Sequence, residues 1–267
     1  MSHQITFPVR RFSHRCWKRD PHTWCRHIGP GMGLPYGETF FHKPTGRFTD
    51  GRIIADYIAS ALNLPFVNAY LDKSGVSFSQ GANFAVAGAT AMNNSFLVEK
   101  GIGLIKYNVP LSSQLEWFKS HLQSTCGSKC ARTLRNSLVV LGEFGGVEYW
   151  NAFAGVGNKS EPEVRTYVPL IIDGIKSAIK DVIQLGSTRI LVPGVFPFGC
   201  LSGYLARFPD TNLDATTVCP NPSQYVNWDG LHLTYEAYHR ISDVVINNML
   251  PKFGCCGLGN SSVLSSY

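Results

Sequence analysis

A carboxylate three residues ahead of an imidazole is the most chemically suggestive pair in this 267-residue sequence. It lies in Val226-Asn227-Trp228-Asp229-Gly230-Leu231-His232-Leu233-Thr234, a turn that opens onto a segment with helical apolar spacing. There Asp229 can accept the Nδ1 proton of His232, which fixes the tautomer and leaves Nε2 as a base. This is the base-and-orienter half of a serine hydrolase triad. The same spacing also suits a plain turn, with Asp229 holding backbone N–H groups and His232 at the surface. A second cluster, Cys16, Cys25, His22 and His27, has cysteines and histidines spaced too widely for a usual zinc site, so no metal is expected.

Positioning such a pair requires strands that end beside it. From Asp50 onward, apolar helices and β-branched strands alternate. Asp50 is expected to cap a helix carrying Ile53, Ile54, Tyr57, Ile58, Ala61 and Leu62. Residues 81–90 predict a short strand or tight turn, and Pro110 to Thr125 a helix with Leu111, Leu115, Phe118 and Leu122 in register. Ser137 to Leu141 and Arg189 to Val192 read as buried strands, separated by one long helix, about Glu163 to Leu185, that Gly186 closes. Thr234 to Leu250 predicts a last helix with Tyr238, Ile241, Val244, Val245 and Met249 inward. Continuous apolar strands between amphipathic helices imply a parallel sheet covered on both faces, with its chemistry at the carboxyl ends.

Four ordered blocks carry a family resemblance: Leu34-Pro35-Tyr36-Gly37-Glu38-Thr39-Phe40-Phe41, Pro44-Thr45-Gly46-Arg47-Phe48-Thr49-Asp50-Gly51-Arg52, Asn83-Phe84-Ala85-Val86-Ala87-Gly88-Ala89-Thr90, and Asn221-Pro222-Ser223-Gln224-Tyr225 running on to Asp229. Together they resemble the plant GDSL esterase/lipase family of the SGNH hydrolases, nearest the branch of sinapine-type and acetylajmalan-type esterases. The resemblance covers about residues 34–207 and 221–250. It implies a flavodoxin-like three-layer α/β/α sandwich with a parallel sheet. It also implies cofactor-free hydrolysis of small-molecule or lipid carboxylic esters by a secreted, glycosylated, monomeric enzyme.

Carried over by residue, Asp229 and His232 fall on the family's triad acid and base. Gly88 falls on the block whose backbone N–H helps hold the oxyanion. The family's Gly-x-Asn-Asp block corresponds to Gly145-Gly146-Val147-Glu148, and Val147 has no side-chain donor to replace the Asn. Loss of one such donor costs on the order of 10²–10³ in rate. No Gly-Asp-Ser occurs in the sequence. Ser2 and Ser13 are the only serines before Leu34, and neither sits in a Gly-rich turn, so the nucleophile is unassigned. The stretch from Cys200 to Asn221 is short for the family, and a helix–strand unit is expected to be missing there. These departures predict an impaired or inactive esterase; the alternative is a non-catalytic, truncated relative or splice form that binds ligands or partners in the old cleft.

Composition bounds the rest. With 44% hydrophobic and 16% charged residues the chain can bury a sizeable core. Its net charge of +6 is mostly N-terminal, because residues 1–30 hold six Lys/Arg against the single Asp20. That excess belongs to an unpatterned segment, so no nucleic-acid partner is implied. Residues 1–33 are read as a basic, disordered, non-family segment, 34–250 as the hydrolase-like domain and 251–267 as a tail. Val168 to Leu185, the longest apolar candidate, carries Asp173, Lys176, Lys180 and Asp181, which argues against a membrane span. Met1 to Pro30 shows no secretory signal pattern. The N-x-S sequons at Asn93, Asn158 and Asn260 nevertheless suit a secreted glycoprotein, and there Cys126 and Cys130 are expected to pair.

Overall fold

The computed structural model describes residues 3–5, 33–72, 75–103, 109–153, 157–197, 200–205 and 220–254. At its centre is β4 (Ser137–Val140), a run of Ser-Leu-Val-Val with every residue buried. It pairs in parallel with β1 (His3–Ile5) on one side and β5 (Ile190–Leu191) on the other, giving the order β1-β4-β5. His3 lies opposite Ser137, and Val139 opposite Ile190. A separate two-stranded parallel ladder joins β2 (Asn68–Ala69) to β3 (Ala82–Asn83).

The pleat of β4 sends successive side chains into two different cores. Leu138 and Val140 meet Ile54, Tyr57 and Ile58 of α1 (Ile54–Ala61) together with Tyr238 and Ile246 of α9 (Tyr235–Asn248). Val139 and the following Leu141 meet Leu111, Leu115, Phe118 and Leu122 of α3 (Leu111–Thr125) and Ala178 and Val182 of α7 (Tyr167–Gln184). The result is helix, sheet, helix in three layers, held by side chains each contributing about 1.5–3 kcal/mol on full burial. A smaller core joins α2 (Asn94–Glu99), α5 (Gly146–Phe153) and α6 (Glu161–Arg165) to the start of α7. Between α3 and β4, α4 (Cys130–Arg135) begins at a disulfide linking Cys126 to Cys130, with Cα atoms 4.9 Å apart.

Several local expectations are corrected. The single long helix is two, broken at Thr166, because Pro169 has no N–H for the Arg165 carbonyl and would clash with it. Asp50 does not cap α1; Asp56 does so, its Oδ2 accepting the Ile53 N–H at 3.0 Å. Asp50 reaches across the fold instead, and its Oδ1 accepts the Tyr235 N–H at the start of α9 at 2.7 Å. In α9 the buried positions are Tyr238, Ser242 and Ile246, while Val244 and Met249 are exposed, since only about one helical face meets the sheet.

At the N-terminus, His3–Ile5 forms a strand although the surrounding sequence has no strand periodicity. A ladder is made by backbone groups, and three residues along a sheet edge suffice to form one. Residues 6–32, including Cys16, Cys25, His22 and His27, lie outside the described residues. At the other end the fold runs past residue 250. Leu250 is fully buried, and the Phe253 carbonyl accepts from Arg189 Nε at 2.6 Å. Of the three sequons, Asn93 is exposed and caps α2, Asn158 is exposed, and Asn260 is outside the described residues. Between Cys200 and Asn221 only the short α8 (Ser202–Leu205) is described, and β5 stands at the sheet edge among the described residues. No described helix is long and apolar enough to cross a membrane.

Candidate active site

The loop before α9 is folded by its own aspartate. Asp229 Oδ1 accepts the backbone N–H groups of Leu231 at 3.0 Å and His232 at 2.8 Å, an Asx-type turn. Gly230 supplies the left-handed step at φ +88°, and its carbonyl takes the Gly203 N–H at 2.8 Å, a close approach that a side chain on Gly203 would block. The loop is closed by a bridge between Asn227 and Leu233. Its capping oxygen being Oδ1, the other carboxylate oxygen is left for the imidazole.

Asp229 Oδ2 lies 2.7 Å from His232 Nδ1. A carboxylate only accepts, so Nδ1 carries the proton and the Nε2 lone pair is left at the far side of the ring. The turn reading and the base-and-orienter reading are therefore compatible, one oxygen serving each. Burial raises the Asp229 carboxyl, but the hydrogen bond and charge of His232 and the two backbone N–H donors outweigh it, leaving the group below the ordinary carboxylate range. The Phe48 ring flanks the imidazole with centroids 4.8 Å apart.

His232 lines a cleft of about 220 Å³ that also receives Gly88, Val147, Glu143 and Pro193. These come from the ends of strands: Gly142 and Glu143 just beyond β4, Pro193 just beyond β5, and Gly88 beyond β3. Parallel sheets place ligands at that end. Gly88 occupies the third position of a turn closed by Ala89 N–H to Val86 O at 3.0 Å, and its φ of +76° is the value a type II turn demands there. Its own N–H has no hydrogen-bond partner among the described residues. Val147 also lines the cleft, and its side chain has no hydrogen-bond donor to offer there.

Two acidic side chains to which the motifs gave no role belong to this region. Glu143 opens into the cleft, yet the concave surroundings desolvate its carboxyl and push it up to about 7. Glu148, on α5, is fully buried, and its Oε1 accepts the Met92 N–H at 2.9 Å, tying α5 to the loop that precedes α2. Burial raises its carboxyl too, against the backbone donors that lower it. For Glu148 the available signal was an acid within the otherwise uncharged run Phe144 to Phe153; for Tyr36, which contacts Asp229 across the fold, the sequence held none.

Comparison with known proteins decides the family. Residues 31–221 match the model of the GDSL-like lipase/acylhydrolase family. The chain belongs to that family. Among its relatives is acetylajmalan esterase 1 of Rauvolfia serpentina, 34% identical over 83% of this chain and 80% of that protein. Sinapine esterase of Brassica napus is 47% identical over 70% of this chain and 49% of its own length. The first of these alignments extends over 307 residues, more than the 267 of this GDSL chain, so the relative carries residues at positions where this sequence has none. By its family the chain is a carboxylic-ester hydrolase with an α/β fold.

Proposed function

We propose that this GDSL esterase/lipase carries the acid–base half of a Ser-His-Asp acyl-transfer site, and that the 267-residue chain by itself turns over esters poorly or not at all. The observation that carries the reading is the 2.7 Å Asp229–His232 pair opening onto the same cleft as Gly88. In that arrangement His232 Nε2 takes the proton of an attacking hydroxyl, and Asp229 stabilises the imidazolium. The Gly88 N–H donates to the carbonyl oxygen as it gains charge. Two sequence facts support poor turnover: no Gly-Asp-Ser is present, and Val147 stands where a donor is needed.

The substrate class is a small-molecule or lipid carboxylic ester. Secretion, glycosylation at Asn93, Asn158 and Asn260, a monomeric state and a role in lipid breakdown belong to the same reading. A second reading, a non-catalytic relative that keeps the cleft for binding, draws on the same Val147 replacement.

A fluorophosphonate probe and an aryl acetate assay test the proposal together. Wild-type chain and His232→Ala are expected to hydrolyse the ester equally slowly, with no covalent labelling of either. Turnover well above the His232→Ala control, abolished by the probe, overturns the expectation of poor turnover, and the labelled peptide identifies the serine.

A further inference from the structure

A larger cavity lies at the opposite end of β4. It encloses about 480 Å³ between α3, α4 and the start of the strand, within the range of small-molecule sites. Ser137 lines it, whereas Glu143 lines the candidate active site, and six residues of extended chain separate the two by roughly 15–20 Å. Its walls are apolar at Phe78, Leu122 and Leu134.

The imidazole of His121 is the unexplained group here. The residue is only 7% exposed and lines the cavity, and its ring nitrogens find no hydrogen-bond partner among the described residues. Around it stand the rings of Tyr70, Phe78 and Phe84, with centroids 5.8, 5.6 and 5.7 Å away and edge-on or steeply tilted. Burial lowers the imidazole's proton affinity, so it is neutral, with one N–H donor and one bare nitrogen acceptor. The imidazole is not sealed off but keeps an accessible polar edge on the cavity it lines, where a ligand can reach it.

The other polar walls narrow the ligand. The hydroxyls of Thr125, Thr133 and Ser137 donate to the carbonyls of His121, Lys129 and Thr133. Each of these protons is thereby spent, so these three residues turn oxygen lone pairs to the cavity, while Ser79 Oγ, which accepts from Ser77 Oγ at 3.0 Å, keeps a proton that a phenolic oxygen can accept. No charged side chain is among the described lining residues, so an ion entering the cavity would lose its hydration without a counter-charge.

We infer that this cavity is a second small-molecule site, separate from the esterase cleft, that takes a small neutral phenol. The flat ring lies against Phe78, Leu122 and Leu134, and the hydroxyl exchanges hydrogen bonds with His121. The walls supply acceptors, which a phenolic O–H satisfies and a plain hydrocarbon does not.

Titration calorimetry with p-cresol tests this on the full chain, with toluene and benzoate as controls. p-Cresol is expected to bind the wild type and His232→Ala with equal affinity, and at least tenfold more tightly than either control. His121→Leu is expected to weaken p-cresol at least tenfold. Thr125→Trp, which changes only an exposed residue at the cavity rim, is expected to do the same by filling the space. It keeps the test valid even if the His121 variant misfolds. Unchanged affinity in Thr125→Trp, loss of binding in His232→Ala, equal binding of toluene, or no binding at millimolar p-cresol each overturns the inference. None of these outcomes depends on ester turnover.

Discussion

The Tyr36 hydroxyl donates a 2.8 Å hydrogen bond to Asp229 Oδ2, the oxygen that lies 2.7 Å from His232 Nδ1. One carboxylate oxygen is therefore shared between the N-terminal family block and the imidazole, donor and acceptor being 193 positions apart in the sequence. Burial, then the charge of Asp229, raises the Tyr36 phenol, so it stays a donor throughout the accessible pH range. Tyr36 also meets Trp228 edge-on at 5.8 Å, which seats the loop from its other side.

Replacing Tyr36 by Phe keeps the ring contacts and removes the donor. A hydrogen bond to a charged group contributes about 1.5–3 kcal/mol, and loss of Tyr36→Phe stability near the lower figure is expected in urea unfolding. The Asp229 carboxyl is expected to rise, since one stabilising donor is gone. An unchanged urea midpoint together with an unchanged carboxyl titration by NMR would contradict both expectations.

Glu143 gives a pH dependence with a definite sign. Its folded value of about 7 lies above the ordinary glutamate value of 4.5, so the folded state holds the proton more tightly. The corresponding stability is fully present below 4.5 and is lost as pH rises through about 7. Glu143→Gln should therefore flatten the decline in urea midpoint between pH 4.5 and 7. Some slope remains, because Glu148 is raised by burial as well. A decline as steep in Glu143→Gln as in the wild type would remove Glu143 as its source.

Glu148 anchors rather than reacts. Glu148→Ala leaves the Met92 N–H without its acceptor and opens a hole in a fully buried site, for an expected loss of about 2–4 kcal/mol. Glu148→Gln keeps an acceptor of similar shape and is expected to fall within about 1 kcal/mol of wild type. Equal losses for the two variants in urea unfolding would show that the Met92 contact is not what stabilises the loop.

Val147→Asn places a side-chain donor at the cleft. A donor alone cannot begin acyl transfer, so aryl acetate turnover by this variant is expected to stay at the His232→Ala level. An increase approaching the 10²–10³ that one oxyanion donor is worth would mean that a nucleophile already operates in the chain.

The parts of the fold that the sequence announced are those decided by local periodicity. Leu111, Leu115, Phe118 and Leu122 recur at helical spacing and form one buried face of α3. The Ser-Leu-Val-Val run is a strand buried throughout. At the site, the Asp229–His232 pair was readable because both residues sit in one turn. What escaped depends on distant partners or on one missing hydrogen. Asp50 is a good N-cap type for α1 and spends its carboxylate on α9 instead. Pro169 removes a single N–H and splits a helix whose apolar stripe continues unbroken. His121 sits at an ordinary helical position, and only the arrangement of Tyr70, Phe78 and Phe84 makes its imidazole unusual.

The Asp50 contact also says something about how the chain is made. Its carboxylate, 1% exposed, takes the Thr39 hydroxyl at 2.5 Å from eleven residues away and the Tyr235 N–H from 185 residues away. On a ribosome the first partner is at hand almost at once, while the second emerges only with the last helix. Until then the buried acid lacks its long-range donor, and the layer formed by α1 and α9 stays open. Contacts of such sequence separation slow folding, so this layer closes only after synthesis has passed Tyr235, whatever local helices have formed before it.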